Sequence, residues 1–211
     1  MTYKNFDVRA DRPIEPEIAA VLDDAIRRLS TSVLYDSGQK FRIYFCNSTW
    51  RLWLYDGIFD SKLGGTADTL FFRNIYIRPS DIPANAIRSP RPGPIADAAQ
   101  RPLSYFVAHE ATHVMESRQF GRLMVFRFPV WLNEGYADYI GKGGDFDFEA
   151  NRKLLAEDDA RLDYRRSNLY RRYHLEVALL LDKMVLTIMQ VYADTPRETD
   201  LMRLLTSDAL L

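Results

Sequence analysis

Two of the three histidines in this 211-residue chain, His109 and His113, stand four apart, with Glu110 beside the first. On an α-helix, positions i and i+4 lie one turn apart on one face. Two imidazoles so placed can hold one metal ion at about 2.0–2.1 Å each. Glu110 is rotated about 100° from His109, so it reaches a water on that metal without being a ligand. Its chemistry there is that of a general base, which takes a proton from the water and later delivers it to a leaving group. The pattern His109-Glu110-Ala111-Thr112-His113 is therefore an HExxH motif. The bland alternative is two helix histidines satisfied by their neighbours. Leu103, Phe106, Val107 and Val114 give this helix an apolar stripe, and Glu110 and His113 fall on or beside it. Burying a carboxylate and two imidazoles there without a metal is costly.

A catalytic metal site of this type needs a third protein ligand and an open fourth position. Glu134, in Trp131-Leu132-Asn133-Glu134-Gly135-Tyr136-Ala137-Asp138-Tyr139, follows His113 with twenty residues between. That length lets the first helix end, turn and return a second helix against it. Gly135 permits a close approach of that second helix. Asp138 stands one turn after Glu134 and can accept the free N–H of a ligand histidine. A solvated helix face is the competing reading for Glu134 and Asp138, and the neighbours Trp131, Leu132, Tyr136 and Tyr139 argue against full exposure.

HExxH followed by Asn-Glu-Gly-x-Ala-Asp-Tyr resembles the gluzincins, the zinc metallopeptidases with a glutamate third ligand. The likeness is to the compact bacterial peptidase-MA-like group, and more loosely to thermolysin and the M1 aminopeptidases. The strong motifs span 103–140, a weaker likeness runs to about 185, and the spacer before Glu134 is slightly longer than in the better-known groups. The resemblance implies a zincin-like fold, Zn2+ held by His109, His113 and Glu134, Glu110 as base, and Asp138 orienting the first zinc histidine. It implies a peptide or protein substrate. It also implies an oxyanion stabiliser, Tyr or His, on a downstream helix. Tyr170 precedes Leu180-Leu181-Asp182-Lys183 in the register of the M1-like pattern, and His174 is the alternative by likeness to thermolysin. Tyr173 occupies the place where that pattern has a small residue. An aromatic helix start packed on the core is an equal alternative for this cluster.

Elements must position these groups. The chain up to residue 81 alternates strand and helix signals. Strands are expected at 6–9, 41–46 and 71–78, a strand or loop at 50–55, and a helix at 15–32, where Ile18, Val21, Leu22, Ala25, Ile26 and Leu29 recur at helical spacing. Residues 74–77 suit either an edge strand able to pair with an extended substrate or an interior strand. Gly64-Gly65 reads as a breaker. Residues 82–102 form a proline-rich connector. Beyond it, helices are expected at 102–119 closed by Gly121, 129–140 closed by Gly141, 148–158, 168–193 and 197–205, with proline at starts and glycine past ends. The fold class is α+β: a small mixed sheet with one helix, then a mainly helical half carrying the HExxH helix, together one metallopeptidase domain over 1–211.

Composition excludes other classes. Lys plus Arg total 28 against 29 Asp plus Glu, for a net charge of -1, which argues against nucleic acid and anionic membrane as main partners. A single cysteine, Cys46, excludes a disulfide framework and any multi-cysteine metal cluster, so a metal must use nitrogen and oxygen ligands. The basic run Arg161, Arg165, Arg166, Arg171 and Arg172 after Glu157-Asp158-Asp159 reads as a solvated, salt-bridged surface. The most apolar stretch, 177–192, carries Asp182 and Lys183 and is too short to span a membrane. No signal or transmembrane segment is visible, and the start is compatible with a soluble piece of an exported or membrane-anchored bacterial protein lacking its N-terminal anchor. Besides the zinc peptidase, two readings compete: a non-catalytic zinc-binding regulatory or binding module, and a structural zinc or no metal. Intact Glu110 disfavours the module, and a structural site would need a fourth protein ligand.

Overall fold

The computed structural model describes residues 1–56, 64–88, 101–167 and 169–207. Strand β1 (Thr2–Tyr3) turns back antiparallel onto β2 (Phe6–Ala10). Helix α1 (Ile18–Leu29) buries Ile18, Val21, Leu22, Ala25 and Leu29, the face its spacing predicts, and leads to β3 (Phe41–Phe45), parallel to β2. After helix α2 (Thr49–Asp56), strand β4 (Gly65–Ala67) pairs antiparallel with β5 (Asn74–Ile77), which is itself parallel to β3. The sheet order is β1-β2-β3-β5-β4, so 74–77 is interior and β4 is the edge. A two-stranded ribbon, β6 (Ser80–Asp81) with β7 (Ala86–Ile87), follows. The connector expected over 82–102 begins there, and its residues 89–100 lie outside the described residues.

The rest is helical. Helix α3 (Leu103–Phe120) carries the HExxH motif and is followed by the single turn α4 (Met124–Arg127) and by α5 (Val130–Lys142). Next come α6 (Phe148–Ala156), a 3-10 turn at Ala160–Leu162, α7 (Tyr164–Ser167) and α8 (Arg171–Ala178). A π-helical turn (Leu179–Lys183), α9 (Ile188–Ala193) and α10 (Glu198–Thr206) complete the described chain. One core cluster runs through both halves, from Phe6, Ile43, Ile75 and Leu22 to Val107, Val114, Leu132 and Leu175. Polar staples add to it. Arg28 on α1 donates to the carbonyls of Gly141 and Lys142 at 2.6 and 3.0 Å, and Ser104 donates to Asp24 at 2.6 Å.

Three expectations are corrected. Residues 50–55 are helix, not strand or loop: the aromatic β-formers there lie in α2 and leave Trp50 and Leu54 exposed. Helix α5 does not stop at Gly141 but runs to Lys142, and Gly143, with φ +59°, ends it in the left-handed conformation. The long helix expected over 168–193 is broken. It tightens into the π turn, Val185 takes φ +56°, and Thr187 starts α9 through a reciprocal cap with Gln190.

Candidate metal centre

Helix α3 is buried nearly all round, and most of its polar residues are satisfied locally. Thr112 donates to the Ala108 carbonyl at 2.8 Å, and Ser117 donates to the Thr69 carbonyl at 2.9 Å. His109, His113 and Glu116 are different, because they gather toward α5, while Glu110 lies on the adjoining face toward β4. His109 and His113 sit one turn apart, with ring centroids 5.0 Å apart and planes at 87°. Helix α5 presents Glu134 to both: Oε2 lies 3.3 Å from His109 Nε2 and 3.6 Å from His113 Nε2. Donors bound at about 2.0–2.2 Å and at the tetrahedral angle stand about 3.3–3.6 Å apart. Glu134 thus stands at ligand spacing from both histidines, and the three donor atoms lie within 4.8 Å of one another, close enough to share one metal ion. Among the described residues this is the one group of three or more such side chains able to share an ion.

Charge supports that geometry. Burial disfavours the Glu134 carboxylate, yet the positive character of His113 and hydrogen bonds from both histidines hold its carboxyl well below the usual range. Burial likewise opposes a charged His113, but Glu134 and Glu116 together raise its pKa well above the ordinary value. The pocket is thus built to accept positive charge between two carboxylates. Glu116, fully buried, lies one turn beyond His113 and accepts from its Nδ1 at 2.9 Å. The Tyr192 hydroxyl donates to the other Glu116 oxygen and lies 3.2 Å from Asn133 Oδ1. This chain of bonds fixes the His113 ring with Nε2 turned to Glu134.

Asp138 is fully buried one turn beyond Glu134, but it does not hold a ligand histidine here. It accepts from the Tyr105 hydroxyl and from His174 Nδ1, the latter at 3.0 Å, with the Arg101 guanidinium 3.6 Å away. Burial opposes its ionisation, and Arg101 and His174 overcome that and keep its pKa far below normal. His109 Nδ1 is buried without a hydrogen-bond partner. The residue that orients one of the two candidate ligand histidines is Glu116, which sequence reasoning missed. Its signal was present: three residues after His113 is the same helical face.

The downstream helix separates its two aromatic candidates. Tyr170, just ahead of α8, stacks on the His109 ring at 5.6 Å between centroids and 10° between planes. Burial, the nearby charge of Glu134 and a hydrogen bond with Tyr164, with Glu110 adding less, push its phenol far above the usual range, so it stays a proton donor, in the resting site toward Tyr164. Tyr164 stacks on its other side at 4.9 Å. His174 is instead covered by Phe146, ring on ring at 3.6 Å, and its Nδ1 is committed to Asp138. Burial lowers its pKa despite Asp138, so it is a neutral donor to that carboxylate. Tyr173 follows Tyr170 at 6.0 Å between ring centroids.

The edge strand passes over the same site. A Cβ on Gly64 would run into the Phe106 ring, and one on Gly65 would stand 3.0 Å from Glu110 Cγ. The Gly64-Gly65 pair is thus less a breaker than a way to bring β4 against the α3 face that carries Glu110. In comparisons with protein families, with curated proteins and with solved structures, nothing matches this chain.

Proposed function

We propose that this protein is a zinc-dependent peptidase. The observation that carries the reading is the His109–Glu134–His113 spacing of 3.3 and 3.6 Å with Glu110 on the adjoining face of the same helix. His109, His113 and Glu134 would hold the ion. Bound zinc supplies Lewis acidity and lowers the pKa of a water toward about 7. Glu110 takes the proton of the attacking water and passes it to the leaving amine. Tyr170 donates its phenolic hydrogen to the oxygen of the scissile carbonyl as charge builds there. Strand β4 has β5 on one side only among the described residues. Its other side supports the pairing of an extended substrate backbone beside Glu110. A gluzincin-type, peptidase-MA-like enzyme is the family reading that this set of residues favours.

Two measurements on one preparation test it. Protein purified without chelators should carry one zinc per chain and hydrolyse an unbiased peptide library, with the activity removed by chelation and restored by zinc. Glu110→Gln should keep the zinc and lose about 10²–10⁴ of the rate. Zinc bound with no hydrolysis by the native protein would favour a binding module, and absence of metal would end both readings.

A further inference from the structure

Two segments far apart in sequence meet on one face of the molecule. In the turn between β4 and β5, Phe71 and Phe72 are 67% and 72% exposed. Between α3 and α5, Leu123, Phe126 and Val130 are 68%, 76% and 61% exposed. Arg122 joins the segments by donating to the carbonyls of Leu70, at 3.0 Å, and Phe71. Both segments are hydrogen-bonded turns: the Asp68 carboxylate accepts the backbone N–H groups of Leu70, Phe71 and Phe72 at 3.1, 2.9 and 2.8 Å, and Met124, Phe126 and Phe128 donate to the carbonyls of Gly121, Leu123 and Met124. Phe71 and Phe72 are thereby held outward by a capped turn. In α4, Met124 faces the core and Phe126 faces out. Exposed single apolar residues are ordinary, but a joined set of this size marks a contact surface.

The charge around this face is mostly positive: the Asp68 carboxylate in its turn is taken up by three backbone N–H groups, and the other charged groups beside it are arginines. No acidic residue occurs from 117 to 133, where Arg118, Arg122 and Arg127 stand, or from 69 to 80, where Arg73 stands beside the turn and Arg78 is buried beyond β5. The chain as a whole is nearly neutral, at -1, which argues against an anionic membrane for the surface at large but not for this face, where the positive charge is local. A two-fold contact with a second copy would set these arginines against themselves, which is unfavourable. Aromatic and aliphatic side chains at the tip, with arginines beside them, suit the boundary between lipid headgroups and acyl chains.

We propose that the face formed by Phe71, Phe72, Leu123, Phe126 and Val130, flanked by Arg73, Arg122 and Arg127, docks this protein on an anionic lipid bilayer. The rings enter the headgroup boundary and the exposed Arg122 and Arg127 meet lipid phosphates, while Arg73, bonded to Ser117, adds positive charge beside them. Val130 opens α5 one turn before Glu134, about 6 Å along the axis. Docking would therefore hold the His109–His113–Glu134 cluster close to the membrane surface.

Sedimentation with vesicles tests this without reference to catalysis. The full chain should partition onto vesicles of phosphatidylcholine mixed with phosphatidylglycerol, less onto phosphatidylcholine alone, and less as salt rises. Each basic residue near such a surface contributes about fivefold in affinity, so Arg127→Glu should weaken binding at least about fivefold. Phe72→Ser combined with Phe126→Ser should abolish it while leaving circular dichroism and metal content unchanged. Failure to bind the mixed vesicles at low salt would overturn the proposal. So would double-variant binding equal to the parent's, or a dimer in solution that the double variant dissolves while no vesicle is bound.

Discussion

His113 turns Nε2 toward Glu134 because its other nitrogen is occupied by Glu116, and Glu116 is in turn held by Tyr192. Removing the charge of Glu116 while keeping its size should loosen the ring and leave the fold intact. Glu116→Gln is expected to weaken zinc binding about 10–100-fold in a competitive chelator titration. Unchanged affinity would mean that the ring is fixed by packing alone. Tyr170 and His174 pose a second residue-scale question, and the structure gives them unlike surroundings. Tyr170 lies flat on His109 beside Glu110 and Glu134, whereas His174 is sealed under Phe146 and bound to Asp138. Tyr170→Phe should therefore lower kcat by about 10²–10³ with zinc affinity unchanged. If only His174→Ala reduced kcat, with stability preserved, the oxyanion role would pass to the histidine. The ligand set was legible because i, i+4 spacing on a helix needs no knowledge of tertiary structure. The partner of Asp138 was not, since choosing between His109 and His174 depends on how α8 crosses α5.

That crossing is governed by one glycine. A Cβ on Gly135 would stand 2.5 Å from the Tyr173 carbonyl oxygen, a backbone atom that cannot swing aside. Gly141, one face along, would meet the Tyr105 ring at 3.0 Å and the His109 Cβ at 3.4 Å, where a side chain can yield. Gly135→Ala should thus push α8 from α5 and cost about 1–3 kcal/mol, read as a lower urea midpoint. The same displacement would move Tyr170 off His109, so kcat should fall with it; a variant as stable and active as the parent would show the crossing to be compliant. Elements whose burial follows a single period were readable in advance: α1 and β3 lie close to where their apolar spacing puts them, and α3, buried nearly all round, was found from its motif and its bounding Pro102 and Gly121. Helix α2 was not, because its aromatic residues favour strands in isolation and tertiary context overrides that preference. The break after Lys183 was also hidden, since apolar residues continue across it and the stop lies in Val185's positive φ and the Thr187 cap.

At the scale of the whole molecule, the α+β division was visible as a change from alternating to helical periodicity. The edge position of β4 was not, since three residues led by a glycine carry no strand period. What the sequence could not foretell at all is how the helical half stores charge. Glu176 on α8 is fully buried, and neither carboxylate oxygen makes a hydrogen bond. Arg172 lies 3.9 Å away but is engaged at 2.8 Å by Glu198 of α10. Burial is the main cause that pushes the Glu176 carboxyl up to about 8; Arg172 opposes it and Glu198 adds to it. The folded protein therefore keeps a proton here that the unfolded chain releases near the ordinary value of 4.5. Where the folded state holds more protons, raising pH favours unfolding. The contribution of the protonated group is complete below about pH 4.5 and is lost as pH rises through about 8. The loss is on the order of a few kcal/mol. Glu176→Gln has the same shape and no proton to give up. Its urea midpoint should change less than the parent's between pH 5 and pH 8, and should exceed it at pH 8. Parallel decline of the two proteins would place the alkaline loss elsewhere and return Glu176 to its ordinary ionised state, paired with Arg172.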